Sequence, residues 1–214
     1  MVETSKGNYI FCLKNAEYNG VLIIGVFHGD EPQGKHLIEK YLKGNKTSKL
    51  AFIPELNPDG RKLGTRTNGN GVDLNRNFPT KNWILSEKNE FFGGEAPASE
   101  IETKFLINIV KELNPKLIVT LHAPFKVVNY DGNARAIAEM ISEIIKYPVV
   151  ESVGYATPGS FGSWAGVEKG IPTITLELDE EIPVEDLEKP VFEIFKRLED
   201  FDKIDFSILD INRD

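Results

Sequence analysis

Three short runs of the chain carry almost nothing that water could solvate: Val21–Phe27 (VLIIGVF), Leu50–Pro54 (LAFIP) and Leu117–Leu121 (LIVTL). A strand with one wet face alternates apolar and polar residues. A strand without that alternation is covered on both faces. Burial on both sides requires a layer above the sheet and a layer below it. The intervening segments can supply those layers, because Gly34–Leu42, Ser99–Leu113, Ala134–Ile145 and Val184–Leu198 space their apolar residues as amphipathic helices do. Buried strands alternating with such helices predict an α/β fold: one domain over residues 1–214, with a mixed, mostly parallel sheet and helices on both faces.

Two further strands are expected at Tyr9–Leu13 and Thr173–Leu178 (TITLEL). Ser99, with Glu102 three residues on, predicts a capping box at the start of its helix. Two stretches show no period and are rich in small and polar residues: Glu55 to about Pro97, and Val153–Trp164. A loop as long as the first, inside a compact domain, usually has a function. The tail is polar with scattered apolar positions.

Composition narrows the function classes. Against 25 Lys and Arg stand 33 Asp and Glu, a net charge of −8. A nucleic-acid surface needs clustered cations, so no nucleic-acid partner is expected. No apolar run approaches the roughly 20 residues of a membrane helix, so no membrane partner is expected either. Cys12 is the single cysteine and cannot form an internal disulfide. Met1–Asn8 is polar and lacks a secretory apolar core, which makes the cytoplasm the expected compartment.

Histidine chemistry must come from His28, His36 and His122. His28 and His122 each follow an apolar strand, and sites in α/β sheets form beyond the carboxyl ends of strands. His28 and Glu31 are spaced i, i+3 in HGDE, and a tight turn can aim both at one point. Hydrolytic zinc often takes two histidines, one carboxylate and a water, which makes His122 the third candidate ligand. The plainer alternative is a helix-capping Glu31 and two core histidines. His36 reads as a helix-surface residue and Asp30 as a helix-start carboxylate. Alternation puts Thr173, Thr175, Glu177 and Asp179 on one strand face. That face is either the solvated side of an edge strand or the seat of a general base, Glu177, that takes a proton from the attacking water and passes it to the leaving amine. Asn75 and Arg76 stand in NGNGVDLNRNFP. Arginine is the natural fork for a carboxylate, although an Asn-rich loop can also be merely self-bonded. Asp73 could orient a ligand histidine from behind. In Gly159–Trp164 (GSFGSW), Ser160 and Gly162 can bring hydroxyl and backbone amide close to a released amino acid.

Together, HGDE at 28–31, NPDG at 57–60, NGVDLNRNFP at 70–79, Leu121–His122 and the late TLEL around Glu177 resemble the zinc metallocarboxypeptidases of the carboxypeptidase A type, from about residue 20 to 180. The stretches 57–79 and SVGYATPGSFGSW at 152–164 look like the murein peptide amidase branch of that family. That branch is cytoplasmic and cuts the bond between γ-D-glutamate and meso-diaminopimelate in the wall tripeptide during peptidoglycan recycling. The resemblance implies one zinc ion on His28, Glu31 and His122, and Glu177 as general acid/base. It implies Arg66 polarising the scissile carbonyl, Asn75 and Arg76 on the free α-carboxylate, Asp73 supporting His28, and Tyr155 capping the substrate. It implies a small murein peptide as substrate, acted on by a monomer or homodimer. Digestive members carry an arginine where Asp30 stands, and they are longer, so loops and strands at the sheet edge are expected to be missing. Three rivals share parts of the pattern: an N-acyl amino acid deacylase of the succinylglutamate desuccinylase/aspartoacylase type, a non-catalytic binder of wall peptides, and a general C-terminal exopeptidase.

Overall fold

The structure, a computed structural model, describes residues 1–152 and 154–203. In chain order the elements are β1 (Val2–Glu3), β2 (Tyr9–Ile10), β3 (Val21–Gly25), α1 (Gln33–Gly44), β4 (Ala51–Ile53), α2 (Pro58–Leu63), α3 (Ile101–Leu113), β5 (Leu117–His122), β6 (Val127–Asp131), α4 (Arg135–Ile145), β7 (Val149–Val150), β8 (Thr173–Glu177) and α5 (Val184–Glu199). Six strands form one sheet in the order β4-β3-β5-β8-β6-β7. Every neighbouring pair is parallel except β6 and β8. The sheet is thus mixed and mostly parallel, as the apolar runs predict.

Alternate residues of the buried strands feed two cores. Val21, Ile23, Leu117, Val119, Ile174 and Leu176 pack with α1, α4 and α5. Leu22, Ile24, Ala51, Ile53 and Ile118 pack on the other side with α3 and with Phe161, Trp164 and Ala165. The second face changes character across the sheet. Over β3, β4 and the start of β5 it is apolar and covered. From the end of β5 outward the same face carries Thr120, His122, Thr175, Glu177, Asn129 and Asp131, which the strand register sets side by side. A polar stretch of sheet next to an apolar, roofed one leaves room for a pocket.

Several local expectations are corrected. Tyr9–Leu13 is not one strand. Tyr9–Ile10 pairs with β1, while Leu13 exchanges two backbone hydrogen bonds of 2.8 Å with Phe52 on the sheet edge. The Ser99/Glu102 capping box does not form. Ser99 Oγ donates to the Glu100 carboxylate and accepts from Asn77, while the buried Glu102 accepts from Asn68. The partners brought by the fold outcompete the local cap. Asp30 is exposed and precedes Pro32, the residue flanking α1, so the first turn of that helix holds no acid. The edge-strand alternative for Thr173–Leu178 is overturned, since β8 lies between β5 and β6. The period-free stretches contain α2, a 3₁₀ turn at Leu74–Arg76 and a π-helical segment at Ser163–Glu168. Strands β6 and β7 have no counterpart among the expectations. Val153 and the tail beyond residue 203 lie outside the described residues.

Candidate metal centre and substrate pocket

The HGDE turn is shaped by a close crossing. A Cβ on Gly29 would overlap the backbone of Gly60 and Arg61, so only glycine lets the turn pass α2. Asn57 fixes that crossing: its Oδ1 accepts from Gly60 N–H at 2.9 Å and its Nδ2 donates to Phe27 O at 3.2 Å. The NPDG motif is therefore scaffold. Its Asp59 holds the N-terminal strands instead, accepting from Thr4 Oγ1 and Asn8 Nδ2, each at 2.6 Å. Within the turn, Glu31 N–H donates to His28 O at 3.2 Å, which folds the Glu31 side chain back beside His28.

His28, Glu31 and His122 converge, and all three are buried. One ligand atom from each lies within 4.8 Å of the others. His28 Nδ1 is 2.7 Å from Glu31 Oε1, His122 Nδ1 is 3.0 Å from Glu31 Oε2, and the two Nδ1 atoms are 3.3 Å apart. The edge of a tetrahedron with zinc–nitrogen bonds of about 2.0–2.1 Å is about 3.3–3.4 Å, so the imidazole pair has the spacing a zinc ion needs. Donor chemistry and spacing both fit zinc. Behind the candidate ligands, His28 Nε2 lies 3.2 Å from Asp73 Oδ1, a placement that would hold the remaining N–H on Nε2 once Nδ1 ligates a metal. The Phe27 ring stacks on His122 with centroids 5.2 Å apart and fixes its plane. Burial works against a charged His28, but the carboxylates of Glu31 and Asp73 outweigh it and raise its pKa to about 9. His122 is shifted down, chiefly by burial.

Glu177 ends β8 in register with His122. It is 7% exposed, and its Oε2 is buried with no hydrogen-bond partner among the described residues. Burial, with Glu31 adding to it, pushes its pKa up to about 8 against a bond from the Phe125 backbone. A desolvated carboxyl beside a metal cradle suits a group that must both take and give a proton.

The long loop delivers the cations. Asp73 accepts from Asn75 N–H at 2.8 Å and from Arg66 Nε at 3.0 Å, so one carboxylate anchors the 3₁₀ turn, the arginine and His28. Arg66 Nη1 is 3.8 Å from Glu31 Oε1. Asn75 Oδ1 accepts from Phe161 N–H at 2.8 Å, which leaves Nδ2 as a donor for a ligand. Arg76 is buried, and its Nη1 donates to Asn75 O at 2.7 Å.

The inner pocket, about 120 Å³, brings together the three candidate ligands with Glu177, Arg66, Asn75, Arg76, Tyr155, Ser160 and Gly162. It opens to a vestibule of about 680 Å³ edged by the exposed rings of Phe91, Phe125 and Tyr155. Every site residue expected from sequence lies in this region, with Asp73 directly behind it. His36 does not: it is half-exposed on α1 and pairs with Glu188 at 2.9 Å. Sequence reasoning missed two residues. Phe91 places its ring 5.1 Å from the Arg66 guanidinium and 6.0 Å from that of Arg76. Asp131, at the end of the unforeseen β6, lines the inner pocket. The signal for β6 was the alternation in VVNYD, closed by a DG turn.

The comparisons agree with this geometry. The family model described as zinc carboxypeptidase matches residues 1–139. The chain is similar to murein peptide amidase A of Escherichia coli, 35% identical over 160 residues, which is 68% of this chain and 65% of that relative. It is also similar to murein peptide amidase A of Vibrio campbellii, 33% identical over 171 residues, covering 73% of this chain and 68% of that one. A crystal structure of a murein-tripeptide amidase from Escherichia coli superposes with a TM-score of 0.83 at 28% identity, covering 92% of this chain and 89% of that one. Carboxypeptidase A of Helicoverpa armigera shares the fold, with a TM-score of 0.72 at 18% identity over 92% of this chain and 66% of its own. Matching motifs, fold and donor set converge on one assignment: the chain belongs to the zinc carboxypeptidase family.

Proposed function

We propose that this chain hydrolyses the amide bond between γ-D-glutamate and meso-diaminopimelate in the murein tripeptide, with one zinc ion held by His28, Glu31 and His122. The observation that carries the reading is the buried, unpartnered Oε2 of Glu177, one strand away from the His–Glu–His cradle. A zinc ion in that cradle supplies Lewis acidity toward water and toward the scissile carbonyl. Glu177 takes the proton of the attacking water as its oxygen bonds to the carbonyl carbon. Arg66, steadied by Asp73, faces the oxygen on which negative charge grows. Glu177 then gives the proton to the amide nitrogen as the C–N bond breaks. Asn75 Nδ2 and the Arg76 guanidinium hold the free α-carboxylate of the residue released, which selects a terminal residue.

The relatives named murein peptide amidase support the choice of substrate. The same likeness leads us to propose a cytoplasmic reaction by a monomer or homodimer, tested by fractionation and sedimentation. Among the described residues no helix is long and apolar enough to cross a membrane. The deciding assay incubates the zinc-loaded protein with L-Ala-γ-D-Glu-meso-diaminopimelate and detects free diaminopimelate by mass spectrometry. Wild type is expected to release it, while Glu177→Gln and chelated protein are not. Cleavage of N-acyl amino acids with an untouched tripeptide would replace this reading with the deacylase. Binding without release would replace it with the non-catalytic binder.

A further inference from the structure

The exit of β3 toward His28 turns on a residue type that rarely adopts such a turn. Val26 has a φ of +55°. A β-branched residue in the left-handed region is an outlier that persists only where its surroundings fix it. The step changes which side of the sheet the next residue packs on. Strict alternation from Val21 and Ile23 would send Phe27 to their side. Phe27 instead joins Leu22 and Ile24 on the opposite side, where its ring stacks on His122 and lies 5.4 Å from that of Phe161. His28 follows directly, so the left-handed step at Val26 aims one candidate ligand and the ring that supports the other.

The clamp on this step comes from one dipeptide. Leu56 N–H donates to Gly25 O at 3.0 Å, Asn57 N–H to Val26 O at 2.9 Å, and Asn57 Nδ2 to Phe27 O at 3.2 Å. Three successive carbonyls are thus held. The first two bonds use backbone that any residue but proline supplies, whereas the third needs the fully buried amide of Asn57. The same Nδ2 donates to Arg66 O at 3.4 Å, and Gly29 N–H donates to that carbonyl at 3.4 Å. The loop that carries Arg66 is therefore docked on the HGDE turn through the group that also holds Phe27.

We propose that Asn57 is a positioning residue: its side-chain amide holds Val26 in the left-handed step and so sets His28, relative to Arg66, in the geometry a metal needs. The inference rests on the zinc cradle proposed above, and Asn57 itself touches neither ion nor substrate. Without the amide, Val26 relaxes toward the unstrained region, Phe27 and His28 turn with it, and the cradle opens. A glycine at 26 has no such preference, since it populates the left-handed region freely.

The test measures zinc affinity by competition with a chelator in wild type, Asn57→Ser and the double variant Asn57→Ser/Val26→Gly. Serine can cap α2 but is too short to bridge to Phe27 O as well. Asn57→Ser is expected to lower zinc affinity by about 10- to 100-fold, the usual loss when a partner behind a metal ligand is removed. Adding Val26→Gly is expected to bring affinity back to within about threefold of wild type, because the strain that displaces the turn is gone. Tm is expected to fall further in the double variant, since a buried valine is lost. Recovered affinity at a lower Tm is a result that a merely structural role would not give. Asn57→Asp, which keeps the size and the cap but has no N–H to donate, carries the same comparison where the serine variant does not fold. Unchanged affinity in Asn57→Ser, or affinity that stays lost in the double variant, overturns the proposal. Release of diaminopimelate is read separately: if wild type binds zinc and cuts nothing, the hydrolytic reading fails and the affinity comparison still decides the role of Asn57. A wild type that binds no zinc overturns the proposal together with the cradle on which it rests.

Discussion

Asp73 Oδ1 lies 3.2 Å from His28 Nε2, and the other oxygen of the same carboxylate accepts from Arg66 Nε at 3.0 Å. One buried acid therefore orients both a candidate metal ligand and the arginine proposed to face the reacting carbonyl. Asp73→Asn preserves the volume but removes the charge that both partners lean on. Loss of a carboxylate behind a ligand histidine typically costs about 10- to 100-fold in metal affinity. Asp73→Asn is expected to show that loss in zinc competition against a chelator, and to lower kcat even at saturating zinc because Arg66 loses its anchor. A fall in affinity with kcat intact at saturating zinc would confine Asp73 to the metal.

With no ion between them, Glu31 is shared by the two buried imidazoles of His28 and His122. An ion that binds only the folded state stabilises it by mass action, about 2.7 kcal/mol at a free concentration a hundred times Kd. Dialysis against a chelator is expected to lower Tm and abolish hydrolysis, and zinc is expected to restore both. A Tm unmoved by chelation at any zinc concentration would mean that the three residues hold no ion.

Arg66 and Arg76 share the face of Phe91. Arg66→Ala is expected to lower kcat by roughly a hundredfold or more with little change in KM, the signature of a donor used in the transition state. Phe91→Ala removes two cation–π contacts worth about 0.5–1 kcal/mol each, so a loss of up to about 5- to 30-fold in kcat/KM is expected, recovered in Phe91→Tyr. If Phe91 acts through Arg66, its effect shrinks in the Arg66→Ala background, a coupling that the double-mutant cycle reads directly. Equal effects in both backgrounds would place the role of Phe91 elsewhere.

The central part of this site was legible because its residues sit at the ends of strands whose apolar runs are unmistakable. His28 follows VLIIGVF, His122 ends LIVTL, and Glu177 closes TITLE. Local pattern and global position coincide there. What escaped notice depends on contacts distant in sequence. Strand β6 pairs antiparallel with a strand more than forty residues later, and its half-polar sequence suits a pocket wall, so neither its apolar content nor its position marks it. The Ser99/Glu102 signature has correct local chemistry but is overridden by Asn68 and Asn77, which arrive from the long loop. NPDG stands out as a motif, yet only the Gly29–Gly60 crossing shows that it is a hinge point for the turn and not a ligand.

Glu102 carries a stability prediction that is independent of the chemistry. It is fully buried on α3, receives one bond from Asn68 Nδ2 at 3.2 Å, and leaves Oε1 unpartnered. Burial, with Glu100 and Asp59 nearby, raises its pKa to about 7 against the bonds that favour the charge. In the unfolded chain a glutamate titrates near 4.3, so between about pH 4.3 and 7 the folded state holds a proton that the unfolded state has released. Stability from this group is complete below that window and declines as pH rises through it. Glu102→Gln mimics the protonated form at every pH. It is expected to raise Tm at pH 8 by an amount reflecting at most about 4 kcal/mol, less the cost of a buried NH₂ in the place of the unpartnered oxygen. The gain should fade to nothing or reverse near pH 4.5, where wild type is itself protonated. Calorimetric Tm measured from pH 4.5 to 8 for both proteins checks this. A difference in Tm that does not vary with pH would show that Glu102 is ionised in the folded protein and that the Asn68 bond alone sustains its charge.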